Sequence, residues 1–222
     1  MASGSEQGLD TATEDYDSLI ATTDVELLKQ AWRNEKAAPE ILQFQASLIQ
    51  RSREQIQLME DTVEEFTENG TDPLTVSLYQ MDLDRTQFLL RSYLRIRLQK
   101  IEKYMIHISR TNELWNRLSE QEQRFAKRCT DDMEKHLKQS VLSRLPYGYQ
   151  SILKQSISSE EDDMVPEPQL DTFVFCKSKG SVGAFQLDDS GDEIVDLVGD
   201  DLYVLRYKSI KALVERGQID LV

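Results

Sequence analysis

The spacing of apolar residues changes twice along the chain. From Val25 to Leu145 they recur every three or four positions, the period of helices that each bury one face. From Thr172 onward they alternate with polar residues, the period of strands. Between them lies a stretch with neither period. Thr23 or Asp24 can cap a helix that opens VELLKQAW. Pro39 suits the first turn of a second helix, with Ile41, Phe44, Leu48, Ile56, Met59 and Val63 on its inner side and Gly70 just past its end. Asp72 and Pro73 restart the chain as cap and first-turn residue.

From Leu74 to Leu145 there is neither glycine nor proline, so this length predicts two long helices. SEQE, Ser119 to Glu122, reads as a capping box between them. The third helix is then expected to end near Arg110 or Thr111. The fourth runs from about Glu120 to Leu145, where Pro146 stops it.

Residues 147–168 mix Gly, Ser and Pro with the acidic run SSEEDD, a linker composition. The segments TFVFCKS, VGAFQL, EIVDLV and LYVLRY then predict four strands, followed by a short helix SIKALVERG and a last strand QIDLV. The expected fold is mainly α: an N-terminal helical bundle domain followed by a small C-terminal β-rich domain. Its divisions are a flexible acidic tail at 1–22, a helical domain at 23–146, an acidic linker at 147–168 and the β domain at 169–222. A β domain so small needs support from another surface. Removing residues 166–222 is therefore expected to spare the helices and abolish assembly with partners.

Charge narrows the function. The formal net charge is −14, which opposes general binding to polyanions. No apolar run approaches the roughly 20 residues of a membrane span. The N-terminus, MASGSEQGLDTATEDYDS, lacks the apolar core of a secretory signal. The lone Cys129 and Cys176 suit a reducing compartment. His107 and His136 lie near no cysteine or metal-spaced acid cluster, and no phosphate loop, nucleophile elbow or HExxH occurs. Neither catalysis nor a cofactor or metal is expected.

One stretch departs from the acidic balance: FLLRSYLRIRLQKIEKY, Phe88 to Tyr104. At 100° per residue, Leu83, Leu90, Leu94, Ile101, Met105 and Ile108 share a stripe flanked by Tyr93 and Tyr104. Leu89 and Ile96 form a second strip and Phe88 a third. A helix apolar over so much of its circumference calls for cover from its own bundle and from other subunits. Arg97 falls inside the main stripe, where a guanidinium requires a carboxylate partner. Arg91, Arg95 and Glu102 share another side, at spacings that permit contact one turn apart. Trp32 reads as a core anchor between the first helices, and Met81, Met105 and Met133 as gap fillers. These features fit a structural subunit, a free helical adaptor, or a nucleic-acid module using Arg91, Arg95 and Lys103.

AWRNEKAAPEIL (Ala31 to Leu42), YQMDLDRTQFLLRSYLRIRLQKIEKY (Tyr79 to Tyr104) and IVDLVGDDLYVLRYKSIKALVERGQIDLV at the C-terminus closely resemble the Sld-five subunit family of the GINS complex. The resemblance runs from about Asp24 to Val222, outside the acidic linker. It implies a non-catalytic subunit of a nuclear heterotetramer of four paralogues. That complex joins the Mcm hexamer and a RecJ-like cofactor in the replicative helicase and links them to DNA polymerases, including polymerase epsilon. No strong DNA binding is expected of the isolated subunit. The matched motif residues are Trp32, Asn34, Glu35, Lys36 and Pro39; Tyr93, Arg95, Arg97, Lys100 and Glu102; and Arg206, Tyr207 and Lys208.

Two further segments draw expectations. EDYDSLIATTDVELL is similar to an acidic-aliphatic peptide by which some Sld-five relatives dock onto the trimeric hub that recruits polymerase alpha, with Tyr16, Leu19 and Ile20 on one side of a short helix. Ser158 and Ser159 each have an acid three residues on, the pattern of an acid-directed kinase site within a solvated linker.

Overall fold

A computed structural model describes residues 23–186 and 194–222. Tyr16, Leu19 and Ile20 of the expected docking peptide, like the ends of two expected strands at Leu187 and Glu193, lie outside the described residues. Among the described residues, no helix is long and apolar enough to cross a membrane. The helices are α1 (Asp24–Ala37), α2 (Ala46–Glu68), α3 (Pro73–Arg110), α4 (Asn112–Asn116) and α5 (Glu120–Ser140). They are followed by a 3-10 turn (Leu142–Arg144), β1 (Phe173–Ser178), β2 (Val182–Gln186), β3 (Ile194–Leu197), β4 (Leu202–Arg206), α6 (Tyr207–Glu215) and β5 (Ile219–Leu221). The helical bundle followed by a small sheet region is the fold class that the hydrophobic pattern predicts.

Local chemistry sets most boundaries as expected. The Thr23 hydroxyl accepts from the Glu26 amide and the Asp72 carboxylate from the Thr75 amide, each at the N3 position of its helix. Gly70 takes φ +66° just past α2, a conformation that costs an L side chain strain. Gly217, at φ +71°, plays the same part between α6 and β5. Ser119 and Glu122 form the expected capping box, and α3 ends at Arg110.

Two boundaries differ. The second helix begins at Ala46, and Pro39 sits in a non-helical segment, 38–45. Its carbonyls at Glu40, Ile41 and Leu42 accept from Lys100, Arg117 and Arg97, and the Phe44 amide donates to the Arg117 carbonyl. Buried cations thus take the acceptors that a helix would have used. The fourth long helix stops at Ser140, where Val141 adopts φ −127° and a 3-10 turn completes the approach to Pro146. The short α4 lies in the connection expected between the third and fourth helices.

The described residues fall into two compact units. One comprises residues up to Arg33 together with Gln45–Tyr93. In it α3 runs back along α2 as a helical hairpin: Gln87 Nε2 donates to Glu60 Oε1 at 2.7 Å, and the Phe66 and Tyr79 rings meet edge to face at 5.1 Å. Trp32 Nε1 donates to Ser92 Oγ at 2.9 Å, tying α1 to α3.

The second unit comprises Asn34–Phe44 and Leu94–Val222. Ile41, Ile101, Ile108, Leu114, Leu118 and Ala126 form one of its apolar clusters. The other lies under a three-stranded antiparallel sheet of order β4-β1-β5. On the inner face, Val174 stands opposite Leu205, and Cys176 opposite both Tyr203 and Leu221. Tyr207, Ile210, Leu213 and Val214 of α6, with Ala38, complete that core. Strands β2 and β3 pair separately.

Cys176 is fully buried, and burial pushes its thiol from an ordinary value near 9 up to about 11. The folded chain therefore keeps a proton that the unfolded chain releases. Its contribution to stability is intact below pH 9 and is lost as pH rises towards 11. Urea melts from pH 8 to 11 are expected to show this decline. Cys176→Ala is expected to have lower stability at pH 8 and a shallower fall thereafter.

Candidate functional site

Some of the residues singled out by sequence motif, among them Glu35, Arg97 and Lys100, meet at segment 34–44. Arg97, on α3, is completely buried, as its place in the apolar stripe requires. Its guanidinium is saturated by fixed acceptors. Nε and Nη2 donate to the two Glu122 oxygens at 2.7 and 3.1 Å, and Nη1 donates to Glu35 Oε2 at 2.9 Å. The carbonyls of Leu42 and Arg117 accept at 2.8 and 3.2 Å. The Phe44 ring lies 5.3 Å from the guanidinium carbon. Glu122 serves twice, as partner of Arg97 and as capping carboxylate, because Oε2 also accepts from the Ser119 amide at 2.8 Å.

Lys100, one turn further along α3, donates to Glu35 Oε1 and the Glu40 carbonyl, both at 2.8 Å, and to the Glu35 carbonyl. Burial lowers its ammonium pKa, and Glu35 offsets part of that shift.

A second cation-carboxylate group is continuous with the first. Glu40, 3 % exposed, accepts from the Tyr207 hydroxyl and the Lys211 ammonium, each at 3.0 Å. Arg117 Nη1 stands 3.4 Å from Glu40, while its Nη2 bonds Glu215 at 2.6 Å and also Glu113. Burial opposes the Arg117 charge, but Glu40, Glu215 and Glu113 outweigh it, and the pKa rises. Burial first, and Glu40 second, hold the Tyr207 phenol well above its ordinary range. Asn34 adds a neutral link: its Oδ1 accepts from the Leu221 amide at 2.7 Å, extending the edge of β5.

The structure therefore sorts the motif residues. Glu35, Arg97 and Lys100 touch one another, and Asn34 and Tyr207 lie in the same polar layer. Pro39 is half-buried within the non-helical segment. Trp32 and Tyr93 belong to the other compact unit, where Tyr93 is 1 % exposed. Lys36, Arg95, Glu102, Arg206 and Lys208 are exposed. Arg206 stands 3.4 Å from Asp171 and over the Phe173 ring. Arg91 bonds Gln87, one turn back, at 2.9 Å.

Glu40, Arg117 and Lys211 escaped sequence reasoning. Arg117 carried a signal, because it stands between the buried Leu114 and Leu118 and so repeats the logic of Arg97. Glu40, beside Ile41 in APEIL, was masked by the helix assigned there. The arrangement holds charges in place. Among the described residues no three His, Cys, Asp or Glu side chains are placed to hold a metal ion.

Removing Arg97 would take from buried Glu122 its cation and leave buried Glu35 with Lys100 alone. Arg97→Ala is expected to cost about 3–5 kcal/mol, against about 0–1 kcal/mol for the exposed Arg91→Ala. Thermal melts of the two variants side by side measure the difference, and equal shifts would contradict the assignment.

Residues 47–141 match the family described as the GINS complex protein helical bundle domain, and residues 168–222 match the DNA replication complex GINS protein SLD5 C-terminus. A protein named DNA replication complex GINS protein SLD5 in Arabidopsis thaliana is 58 % identical over 224 residues, covering 100 % of both chains. Proteins of the same name are 33 % identical over 207 residues in Mus musculus, covering 89 % of this chain and 88 % of the relative, and 31 % identical over 200 residues in Dictyostelium discoideum, covering 88 % and 90 %. With both segments matched and relatives 31–58 % identical over at least 88 % of each chain, the chain belongs to the SLD5 family of GINS proteins, which act in DNA replication.

Proposed function

We propose that this chain is a non-catalytic, structural subunit of a GINS heterotetramer, assembled with three paralogous subunits in the nucleus. Through that tetramer it would act in the replicative helicase, beside the Mcm hexamer and the RecJ-like cofactor, with links to polymerase epsilon and to the hub that recruits polymerase alpha. In this reading residues 23–146 and 169–222 act as helical and β domains joined by the acidic linker at 147–168. Tyr16, Leu19 and Ile20 are the tail residues we assign to the hub.

The observation that carries the proposal is the apolar surface left uncovered within each compact unit. On α3, Leu74, Leu78, Met81 and Phe88 are all more than half exposed. On the outer face of the β4-β1-β5 sheet, so are Phe173, Phe175, Leu202 and Val204. Surfaces of this kind mark contact with other proteins. The exposed Lys36, Arg95, Glu102, Arg206 and Lys208 would form polar rims around such contacts. The buried members of the same motifs would act indirectly, by holding the backbone in shape. Arg91, Arg95 and Lys103 do face solvent. Against a net charge of −14, however, so few cations favour protein contact over a nucleic-acid grip.

The full chain expressed alone is expected to aggregate, and co-expressed with its three paralogues to elute as one 1:1:1:1 species. A monodisperse monomer that joins no paralogue would instead support a free helical adaptor. Replacing Phe173 and Phe175 together by serine is expected to weaken tetramer recovery while leaving the helical circular dichroism of the chain in place, because both side chains point away from the core.

A further inference from the structure

The linker contains a built turn. Gln155 N donates to Asp163 Oδ1 at 2.7 Å, and Ser159 Oγ donates to Asp163 Oδ2 at 3.2 Å. Ser156 N donates to Ser159 Oγ at 3.2 Å, and the Ser156 and Ser158 hydroxyls lie 2.9 Å apart. Asp163 thus closes the turn by holding one backbone amide and one hydroxyl. On the far side, Asp162 pairs with Arg110 at the end of α3, and Glu167 lies 3.3 Å from His107. The linker is thereby fastened to the helix at two points.

We infer that this turn is a phosphorylation switch, with Ser158 and Ser159 as acceptors for an acid-directed protein kinase and phosphate on Ser159 as the event that opens it. Recognition rests on charge. Glu161 stands three residues after Ser158 and Asp162 three after Ser159, within the run Glu160–Asp163 that suits a basic substrate groove. Ser158 is exposed, and Ser159 half-buried, so Ser158 is the more accessible acceptor. In the transfer the γ-phosphoryl group of ATP moves to the serine oxygen. The bond to ADP breaks as the oxygen–phosphorus bond forms, the hydroxyl proton passes to the kinase base, and ADP leaves.

The consequence follows from the contacts. Once esterified, Ser159 Oγ has no proton to donate to Asp163. A group carrying nearly two negative charges replaces that donor directly against the carboxylate. Asp163 is pushed away and the Gln155 amide loses its acceptor. Lys154, whose ammonium reaches the Ser159 carbonyl at 3.2 Å, is a cation within the turn that can swing to the phosphate. It cannot neutralise the phosphate together with Glu160, Glu161 and Asp163.

The test treats the full chain, in complex with its GINS partners, with the catalytic subunit of a casein-kinase-2-type enzyme and ATP. Tandem mass spectrometry is expected to place phosphate on Ser158 and Ser159, and to find none on this segment in the S158A/S159A double variant. Hydrogen exchange at the Gln155 amide is expected to quicken about tenfold on phosphorylation, the loss of one hydrogen bond to a charged group. Phosphate elsewhere but not on these serines overturns the site. Phosphate on Ser159 with unchanged exchange at Gln155 overturns the switch. Absence of phosphate from this segment in complex isolated from replicating cells overturns its use.

Discussion

The second compact unit depends on a guanidinium taken out of water. Arg97 has no solvent contact, so the energy of dehydrating it must be returned by acceptors fixed around it. Two of these are carboxylates, on α1 and α5, and two are carbonyls, from segment 38–45 and from the turn before α5. Four pieces of chain are therefore positioned by one side chain. The cost of misplacing any of them is an unpaired buried charge, which is larger than the gain from an ordinary apolar contact. An apolar replacement of Arg97, Glu35 and Glu122 together would avoid that cost, but it would also release the Leu42 and Arg117 carbonyls. Shape at this point is specified by charge.

The same logic extends to the C-terminal sheet. Tyr207 and Lys211 of α6 meet Glu40, and Asn34 continues the hydrogen bonding of β5. The small C-terminal segment supplies two of the partners of a buried carboxylate. Its outer face, by contrast, is exposed and apolar. One side of the sheet is thus committed within the chain, and the other is exposed.

Much of this was legible. Caps at Thr23, Asp72 and Ser119 and the turn glycine at Gly70 act on neighbouring backbone groups, so their signals are local and the helix ends follow from them. Alternation in TFVFCKS and LYVLRY located β1 and β4 for the same reason. The irregular segment 38–45 was not legible. Its residues have helical spacing, and what prevents a helix is the competition of Lys100, Arg97 and Arg117 for its carbonyls from 55 to 76 residues away. Arg97 was recognisable as buried because it interrupts an apolar stripe. Its partners were not, because Glu35 and Glu122 are two among forty acids whose spacing carries no mark of pairing.

The bond from Tyr207 to Glu40 spans 167 residues, and that from the Leu221 amide to Asn34 spans 187. During synthesis Glu40 leaves the ribosome long before α6 exists. Until then its carboxylate must stay hydrated, and the polypeptide around it cannot close. The helical hairpin of α2 and α3 needs no such wait, since its contacts lie within a single stretch of chain. The nascent protein is therefore expected to mature in two steps, an early local one and a late one triggered by arrival of the C-terminal helix.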